Sequence, residues 1–247
     1  MSDIYQAPQA ELAGREESSD FGSVEKGLAG DYSFSIGDAI SEGWKLSLSN
    51  LGTIWIGLIL YFVGVFALAF ILFSLFGLSL LGTFDIGSFL LLTFIGPIVL
   101  VALCAPLMAG MAMTGIKIAR GEKASGTEVF AYFDKIIPLG LVSILTYILI
   151  SIGYALFIIP GVYLMVAYIL ALPLVVDQNM GAWQAMEASR KAITHNWFAF
   201  FGFLILLVAI YLVGSFAFLI GLIFALPLMC VAYGIAYRQV FGGTSKA

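Results

Sequence analysis

Residues 51–81 read LGTIWIGLILYFVGVFALAFILFSLFGLSLL and contain no Asp, Glu, Lys, Arg or His. About 20 apolar residues in a helix are enough to cross the ~30 Å hydrocarbon core of a bilayer. This stretch has 31 residues. It therefore predicts a membrane-spanning helix that is tilted or leaves the membrane near its end. No short apolar signal segment precedes it, so we expect this run to act as an uncleaved signal-anchor.

Five further apolar stretches follow the first one along the chain. Of the whole sequence, 62% is hydrophobic and only 11% is charged, whereas a soluble domain is about a quarter charged. The sequence therefore predicts an all-α integral membrane protein with six transmembrane helices. After the first span, the predicted spans run over 89–116, 136–158, 161–176, 197–220 and 221–237.

The distribution of basic residues predicts the orientation of these spans. All 11 Lys and Arg residues lie before the first span, after the sixth, or in the connections after the second and fourth. The three opposite connections carry one charge, Asp85. Because cytoplasmic loops are enriched in Lys and Arg, we expect both termini in the cytoplasm.

The two ends of the chain are predicted to be cytoplasmic tails. Residues 1–32 hold seven acidic and two basic residues and few large apolar ones. Such a segment cannot bury enough surface to offset its chain entropy, so the sequence predicts a disordered acidic tail. The transmembrane domain is expected over residues 33–240, and residues 241–247 form a short second tail.

A recurring pattern of amphipathic segments and prolines predicts an internal repeat. Apolar residues with helical spacing precede each odd-numbered span, and each even-numbered span contains a proline: Pro106, Pro173 or Pro227. An interior proline kinks a helix and frees one carbonyl, so each kink should face protein. The sequence thus predicts three parallel hairpin repeats, each preceded by a cytoplasmic interfacial amphipathic helix. They cover residues 34–116, 125–176 and 181–237.

A family resemblance is carried by three short motifs in the second half of the chain. Residues 159–164 read IPGVYL, 172–177 read LPLVVD and 183–191 read WQAMEASRK. These resemble bacterial inner-membrane proteins of the YciC type and the membrane domain of some glycerophosphodiester phosphodiesterases. The opening YQAPQA at 5–10 is similar to a tail motif of such proteins. The resemblance implies the bacterial cytoplasmic membrane and no particular activity.

Charged residues near the spans have two interpretations. Asp177, at the end of the fourth span, is an ion or proton site beside Pro173, or an interfacial residue paired with Arg190 or Lys191. Five basic residues are a site for anionic lipid headgroups, or only a topology signal. His195, the single histidine, is expected on a solvated face, because no ligand cluster surrounds it. The five basic residues are Lys117, Arg120, Lys123, Arg190 and Lys191.

Hydroxyl groups inside the spans also have two interpretations. The tyrosines line a polar cavity between helices, or they lie near interfaces and bond to neighbouring helices. They are Tyr147, Tyr154, Tyr163, Tyr168, Tyr211 and Tyr233. If the chain is a transporter without buried charge, ion coupling would have to rely on backbone carbonyls and smaller hydroxyls such as Thr93, Ser143, Thr146 and Ser151.

The residues of the spans bear on three classes of function. A non-catalytic membrane module that binds membrane phospholipids or an unidentified membrane protein fits best, because no span carries a central charge. A transporter or channel for a small molecule or lipid is the alternative, supported by the proline-kinked helices. An intramembrane enzyme is not expected, since no nucleophile, base or metal set can be assembled. No cofactor and no nucleic-acid partner are predicted, and the oligomeric state is left open.

Overall fold

The structure, a computed structural model, describes residues 21–82, 86–216 and 220–242, with the backbone alone at 76–82, 88, 91 and 92. All regular secondary structure in the described residues is helical, without a strand. The helices are α1 (Val24–Ala29), α2 (Ile36–Ser49), α3 (Leu51–Gly82), α4 (Ile86–Leu90), α5 (Gly96–Ala119), α6 (Ile136–Leu156), α7 (Ile158–Ala167), α8 (Ala171–Asp177), α9 (Ala182–His195), α10 (Trp197–Phe216) and α11 (Leu222–Phe241). A π-helical turn (Leu91–Ile95) precedes α5, and two 3-10 segments (Gly126–Phe130 and Phe133–Lys135) precede α6.

Six helical stretches in the described part of the chain are long and apolar enough to cross a membrane. The predicted number of spans is therefore confirmed on length and composition, and the chain is a multi-pass membrane protein. One predicted boundary is wrong at the C-terminal end. The sixth span was expected to stop at Tyr237, but α11 continues to Phe241 with Arg238 buried in its last turn.

The sixth spanning helix, α11, lies at the centre of the protein. In its most apolar window 67% of the residues are buried, against 11% for α3 at the periphery. Its closest neighbour is α5, and two glycines allow that approach. A Cβ added at Gly234 would lie 2.3 Å from the carbonyl of Gly115, and one at Gly115 would lie 2.2 Å from the carbonyl of Cys230. The backbones of α5 and α11 are therefore in direct contact.

Helix α2, which the sequence predicts as an interfacial amphipathic helix, packs lengthwise against α11. The Ser35 N–H bonds Gln239, Gly43 faces Ala232, and the ring of Trp44 lies 6.3 Å from that of Phe224. The order of these contacts shows that α2 runs antiparallel to α11. The two helices pack closely because a stripe of small residues on α2 lets their backbones approach each other. Its members, all buried, are Ala39, Gly43 and Ser47.

The segment before α6 is not the amphipathic α-helix that the sequence predicts. It forms two 3-10 segments, of which the first lies between α3 and α5. Val129 is fully buried there, and Gly126 packs so closely on Ile56 that an added Cβ would lie 2.6 Å away. Ser125 and Glu128 close a capping box at the start of the segment. Its short, tight turns follow from this wedged position.

The predicted disorder of the N-terminal tail does not hold for residues 21–32. Val24–Ala29 form α1, capped by Ser23, and the Tyr32 hydroxyl donates to the Ala192 carbonyl at 2.8 Å. Burial of Tyr32 raises its pKa to about 12. Phe34 stacks on Phe200 with ring centroids 4.2 Å apart. Residues 1–20 and 243–247 of the predicted tails lie outside the described residues.

The predicted fourth span is broken into two helices, not kinked. It begins at Ile158, with Pro160 in the first turn where no backbone donor is required. The break falls at 168–170, between α7 and α8. The buried Ser189 of α9 supplies hydrogen bonds to two backbone groups at the break. Its hydroxyl donates to the Ala167 carbonyl at 2.7 Å and accepts from the Leu170 N–H at 3.2 Å.

Candidate functional site

A cavity of about 830 Å³ lies between the spanning helices. Its wall comes from α3, α5, α6, α7, α8, α10 and α11 and from the break between α7 and α8. Twenty-two residues line it, and none of them is charged. The volume falls within the ~300–1,000 Å³ of ligand pockets.

One face of α6 gives the cavity most of its hydroxyl groups. They recur three or four residues apart, which places them on one side of a helix. Eight hydroxyl side chains line the cavity, and α6 contributes five of them: Ser143, Thr146, Tyr147, Ser151 and Tyr154. The Thr146 Oγ1 atom is buried and has no hydrogen-bond partner among the described residues. The cavity wall is therefore apolar, with one polar stripe.

The rest of the wall is rich in methionine. Four of the chain's eight methionines line the cavity: Met108, Met111, Met165 and Met229. Methionine is unbranched and adaptable, so such a surface accommodates flexible apolar ligands.

The cavity is accessible on the side where α5, α6 and α7 meet. The lining residues there expose two fifths or more of their surface: Met108 44%, Tyr154 42%, Tyr147 40% and Met165 40%. The wall is closed at α3 and α10, since Leu58 is 7% exposed and Leu207 is 6% exposed.

The three prolines are buried beside this cavity, and their freed carbonyls contact other helices. A proline has no N–H for the carbonyl four residues earlier. Before Pro227, the Ile223 carbonyl accepts from Trp55 Nε1 at 3.1 Å. Before Pro173, the Ile169 carbonyl accepts from the Tyr233 hydroxyl at 2.8 Å.

The third proline, Pro106, is arranged differently. The carbonyl that it leaves without a backbone donor is that of Ala102, and Gly140 of α6 packs against this carbonyl. A Cβ added at Gly140 would lie 3.6 Å from the Ala102 oxygen. Pro106 and Pro227 lie inside the continuous helices α5 and α11, whereas Pro173 follows the break before α8.

A buried ion pair joins the C-terminal ends of α5, α8 and α11. The Arg120 guanidinium binds both carboxylate oxygens of Asp177, at 2.7 and 2.8 Å. Arg120 also donates to the Gly242 carbonyl at 3.0 and 2.7 Å. Tyr237 and Gln178 complete the carboxylate's partners at 2.7 and 2.8 Å. The two charged side chains are only 2% and 1% exposed.

The charges of this pair explain how it tolerates burial. Burial by itself lowers the pKa of the Arg120 guanidinium, but its hydrogen bonds to Asp177 and that residue's charge outweigh burial and raise the pKa. The alternatives that pair Asp177 with Arg190 or Lys191 are therefore wrong. Arg120, one of the five residues of the predicted headgroup site, is buried and bonded to Asp177 and Gly242 inside the protein, and the headgroup site itself stays a prediction.

The remaining predicted headgroup residues lie apart from the cavity. Lys117 pairs with Glu128 at 3.0 Å, and Lys123 is exposed. On α9, Arg190 and Lys191 both pair with Glu187, at 2.8 and 3.5 Å. Hydrogen bonds from Arg190 lower the pKa of the Glu187 carboxyl. None of these four lines the cavity.

A second ion pair fastens α2 to α11. Arg238 binds the two carboxylate oxygens of Glu42 at 2.8 and 2.7 Å and donates to the Ala119 carbonyl. The ring of Phe21 lies 4.8 Å from the Arg238 guanidinium carbon. The predicted sixth span ends before Arg238, so this contact was not predicted.

Hydroxyl residues that the sequence singles out form part of the cavity wall. Seven of them line it and three do not. Those in the wall are Ser143, Thr146, Tyr147, Ser151, Tyr154, Tyr168 and Tyr233; Thr93, Tyr163 and Tyr211 lie elsewhere. The methionines and Tyr61 were missed. Met165 and Met229 lie one helical turn before Tyr168 and Tyr233, so that spacing could have indicated them. Met108, Met111 and Tyr61 lie on α5 and α3, which contribute none of the predicted hydroxyls, so no local signal indicates them.

No cluster of three His, Cys, Asp or Glu residues suited to a metal ion occurs in the described ranges. His195 is exposed, beside Gly30. Comparison with protein-family models, curated proteins and solved structures gives no match. The resemblance to YciC-type proteins therefore stays a prediction.

Proposed function

We propose that the chain is a non-catalytic, multi-pass membrane module that holds the hydrocarbon chain of a membrane lipid in its internal cavity. The observation that carries this proposal is the 830 Å³ cavity, which is enclosed by membrane-spanning helices and has no charged residue in its wall. Each buried methylene contributes about 0.8 kcal/mol. Lipid chains surround the protein, so the accessible side between Met108, Tyr147 and Met165 gives them a direct entry.

The membrane in this proposal is the bacterial cytoplasmic membrane, with both termini in the cytoplasm. Support for the orientation comes from the one-sided distribution of Lys and Arg. A threefold repeat of the pairs of spans with the segments that precede them is also proposed. Two of these segments, α2 and α9, support it, because each is a helix of 14 residues that is followed by an Asn and leads directly into a spanning helix.

The test is photo-crosslinking of the full chain in bilayer nanodiscs. A phosphatidylcholine with a diazirine in one acyl chain is irradiated, and the labelled peptides are identified. Labels on the α6 and α11 residues of the cavity wall are expected. Met229→Trp, which narrows the cavity, should weaken those labels, and Phe66→Trp at a 70% exposed position should leave them. Labels of unchanged intensity in Met229→Trp contradict the proposal.

Transport of a lipid is a second candidate, favoured by the helix break at 168–170 in the cavity wall. Broken spans beside a central site are common in transporters. It predicts that reconstituted protein moves a fluorescent lipid between leaflets, and that Met229→Trp slows the movement. Lipid binding without movement supports the module and contradicts the transporter.

A further inference from the structure

We infer that the occupant of the cavity is an uncharged amphiphile of the diacylglycerol class, with its hydroxyl and ester groups inside the cavity beside α6. This inference rests on the proposed function and adds the chemical class of the ligand. It follows from the charge of the wall, from one buried hydroxyl and from the state of the nearest buried cation.

The wall offers nothing to neutralise a phosphate. Its described residues are apolar or carry hydroxyl, thiol or thioether groups, with no Lys, Arg or His. An anionic group moved from water into such a site without a cation carries a large desolvation penalty. A phospholipid would therefore leave its headgroup outside, whereas a lipid that lacks phosphate can enter with its head.

Arg120, the buried cation near the end of the wall that is proposed to face the cytoplasm, cannot neutralise a phosphate either. Tyr233 lines the cavity, and Tyr237, one turn later on α11, already bonds Asp177. Arg120 is held there by both oxygens of Asp177 and by the Gly242 carbonyl. The positive charge is thus compensated before any ligand arrives.

The hydroxyl stripe of α6 fits an uncharged head. Thr146 Oγ1 is buried without a partner, and a buried polar atom without a hydrogen bond is costly. A hydroxyl both donates and accepts. In the rotamer present the Oγ1 atom has no accessible surface, so it reaches the cavity after a rotation about χ1. Thr146 can then donate to an ester carbonyl or accept from a glycerol hydroxyl, while Met229 and Leu207 contact the chains.

The experiment compares two lipids that differ only in a phosphate. Dioleoylglycerol and dioleoyl phosphatidic acid compete, in phosphatidylcholine nanodiscs, for the cavity labelled by a photo-crosslinkable diacylglycerol. Dioleoylglycerol should compete at least tenfold better. Thr146→Val, which keeps the side-chain shape, should weaken its competition roughly tenfold, as expected for one lost buried hydrogen bond. Thr93→Val, the same change outside the cavity, should have no effect.

The outcomes separate this inference from the proposed function. Equal competition by both lipids, with labelling weakened in Met229→Trp, overturns the lipid class and keeps the cavity as a lipid site. Labelling that Met229→Trp does not reduce overturns both. An unchanged affinity in Thr146→Val overturns the role of the α6 stripe. Because Thr146 Oγ1 has no protein partner, we expect Thr146→Val to fold with an unaltered melting temperature, which is measured on the same samples.

Discussion

The indole Nε1 of Trp55 on α3 donates a 3.1 Å hydrogen bond to the Ile223 carbonyl, four residues before Pro227 on α11. This carbonyl is the one that Pro227 leaves without a backbone donor. In a bilayer no water replaces the missing donor, so a side chain of another helix must do so. Trp55 therefore couples the packing of α3 to a proline on the central helix.

We expect Trp55→Phe to lower the free energy of unfolding by about 1–3 kcal/mol, the cost of a carbonyl left without a donor where no water can replace it. In a Pro227→Ala background residue 227 regains its N–H and can bond the Ile223 carbonyl itself. The same Trp55→Phe change should then cost clearly less. Thermal unfolding in detergent of the four proteins measures this double-mutant cycle. Equal costs in both backgrounds would show that Trp55 acts through packing alone.

The Arg120–Asp177 pair is predicted to behave as a buried ion pair. Asp177→Asn leaves the guanidinium without its counter-charge and should destabilise the protein by about 3–5 kcal/mol. Arg120→Met combined with Asp177→Leu removes both charges and should recover much of that loss. Denaturant or thermal unfolding in detergent measures each variant.

The exposed pair on α9 is the matched control for that experiment. Glu187 accepts from Arg190 at 2.8 Å, but both side chains are about a third exposed. Glu187→Gln should therefore cost less than about 1 kcal/mol. A similar loss in Asp177→Asn and Glu187→Gln would contradict the special role of the buried pair.

Continuous apolar runs were enough to predict the spans. The charged residues at the ends of the spans led to a wrong boundary for α11 and a wrong partner for Asp177. The span at α3 is evident because an apolar run of 31 residues without a charge is typical of a membrane-spanning helix. The end of α11 was missed because Arg238 reads as a loop residue; its pairing with Glu42, 196 positions earlier, makes burial tolerable. Likewise Arg120 lies 57 positions from Asp177, and nothing local favours it over the nearer Arg190.

The cavity was partly predictable, for a physical reason. Hydroxyls at helical spacing along α6 share one face whatever the tertiary structure. Whether that face meets a cavity or a packed neighbour depends on how six helices cross, which the spacing does not contain. In the same way the small residues Ala39, Gly43 and Ser47 suit either a surface helix or one packed on α11, and only the facing residues decide.

The contact of α5 with α11 gives a third prediction. Gly234→Ala places a methyl 2.3 Å from the Gly115 carbonyl, so the two backbones must move apart. We expect a loss of about 1–3 kcal/mol, as for other overpacked interiors. Gly52→Ala on α3, where no atom lies within 4 Å, is the control and should be neutral or slightly stabilising. If both variants melt at the wild-type temperature, the close approach of α5 and α11 is not required.

The anchoring of residues 21–34 gives the last prediction. Phe34 packs between two rings of α10, stacked on Phe200 and edge-on to Phe203 at 5.5 Å. Phe34→Ala removes both ring contacts, so α1 should open from α9 and α11 without global unfolding. Hydrogen exchange followed by mass spectrometry should then show faster exchange at residues 24–32, while α5 and α11 stay protected. Leu28→Ala, at a 37% exposed position of α1, is the control and should leave the rates nearly unchanged. Exchange at 24–32 that is already complete within seconds in the unaltered protein would mean that this segment is not anchored and that the predicted disordered tail extends to Tyr32.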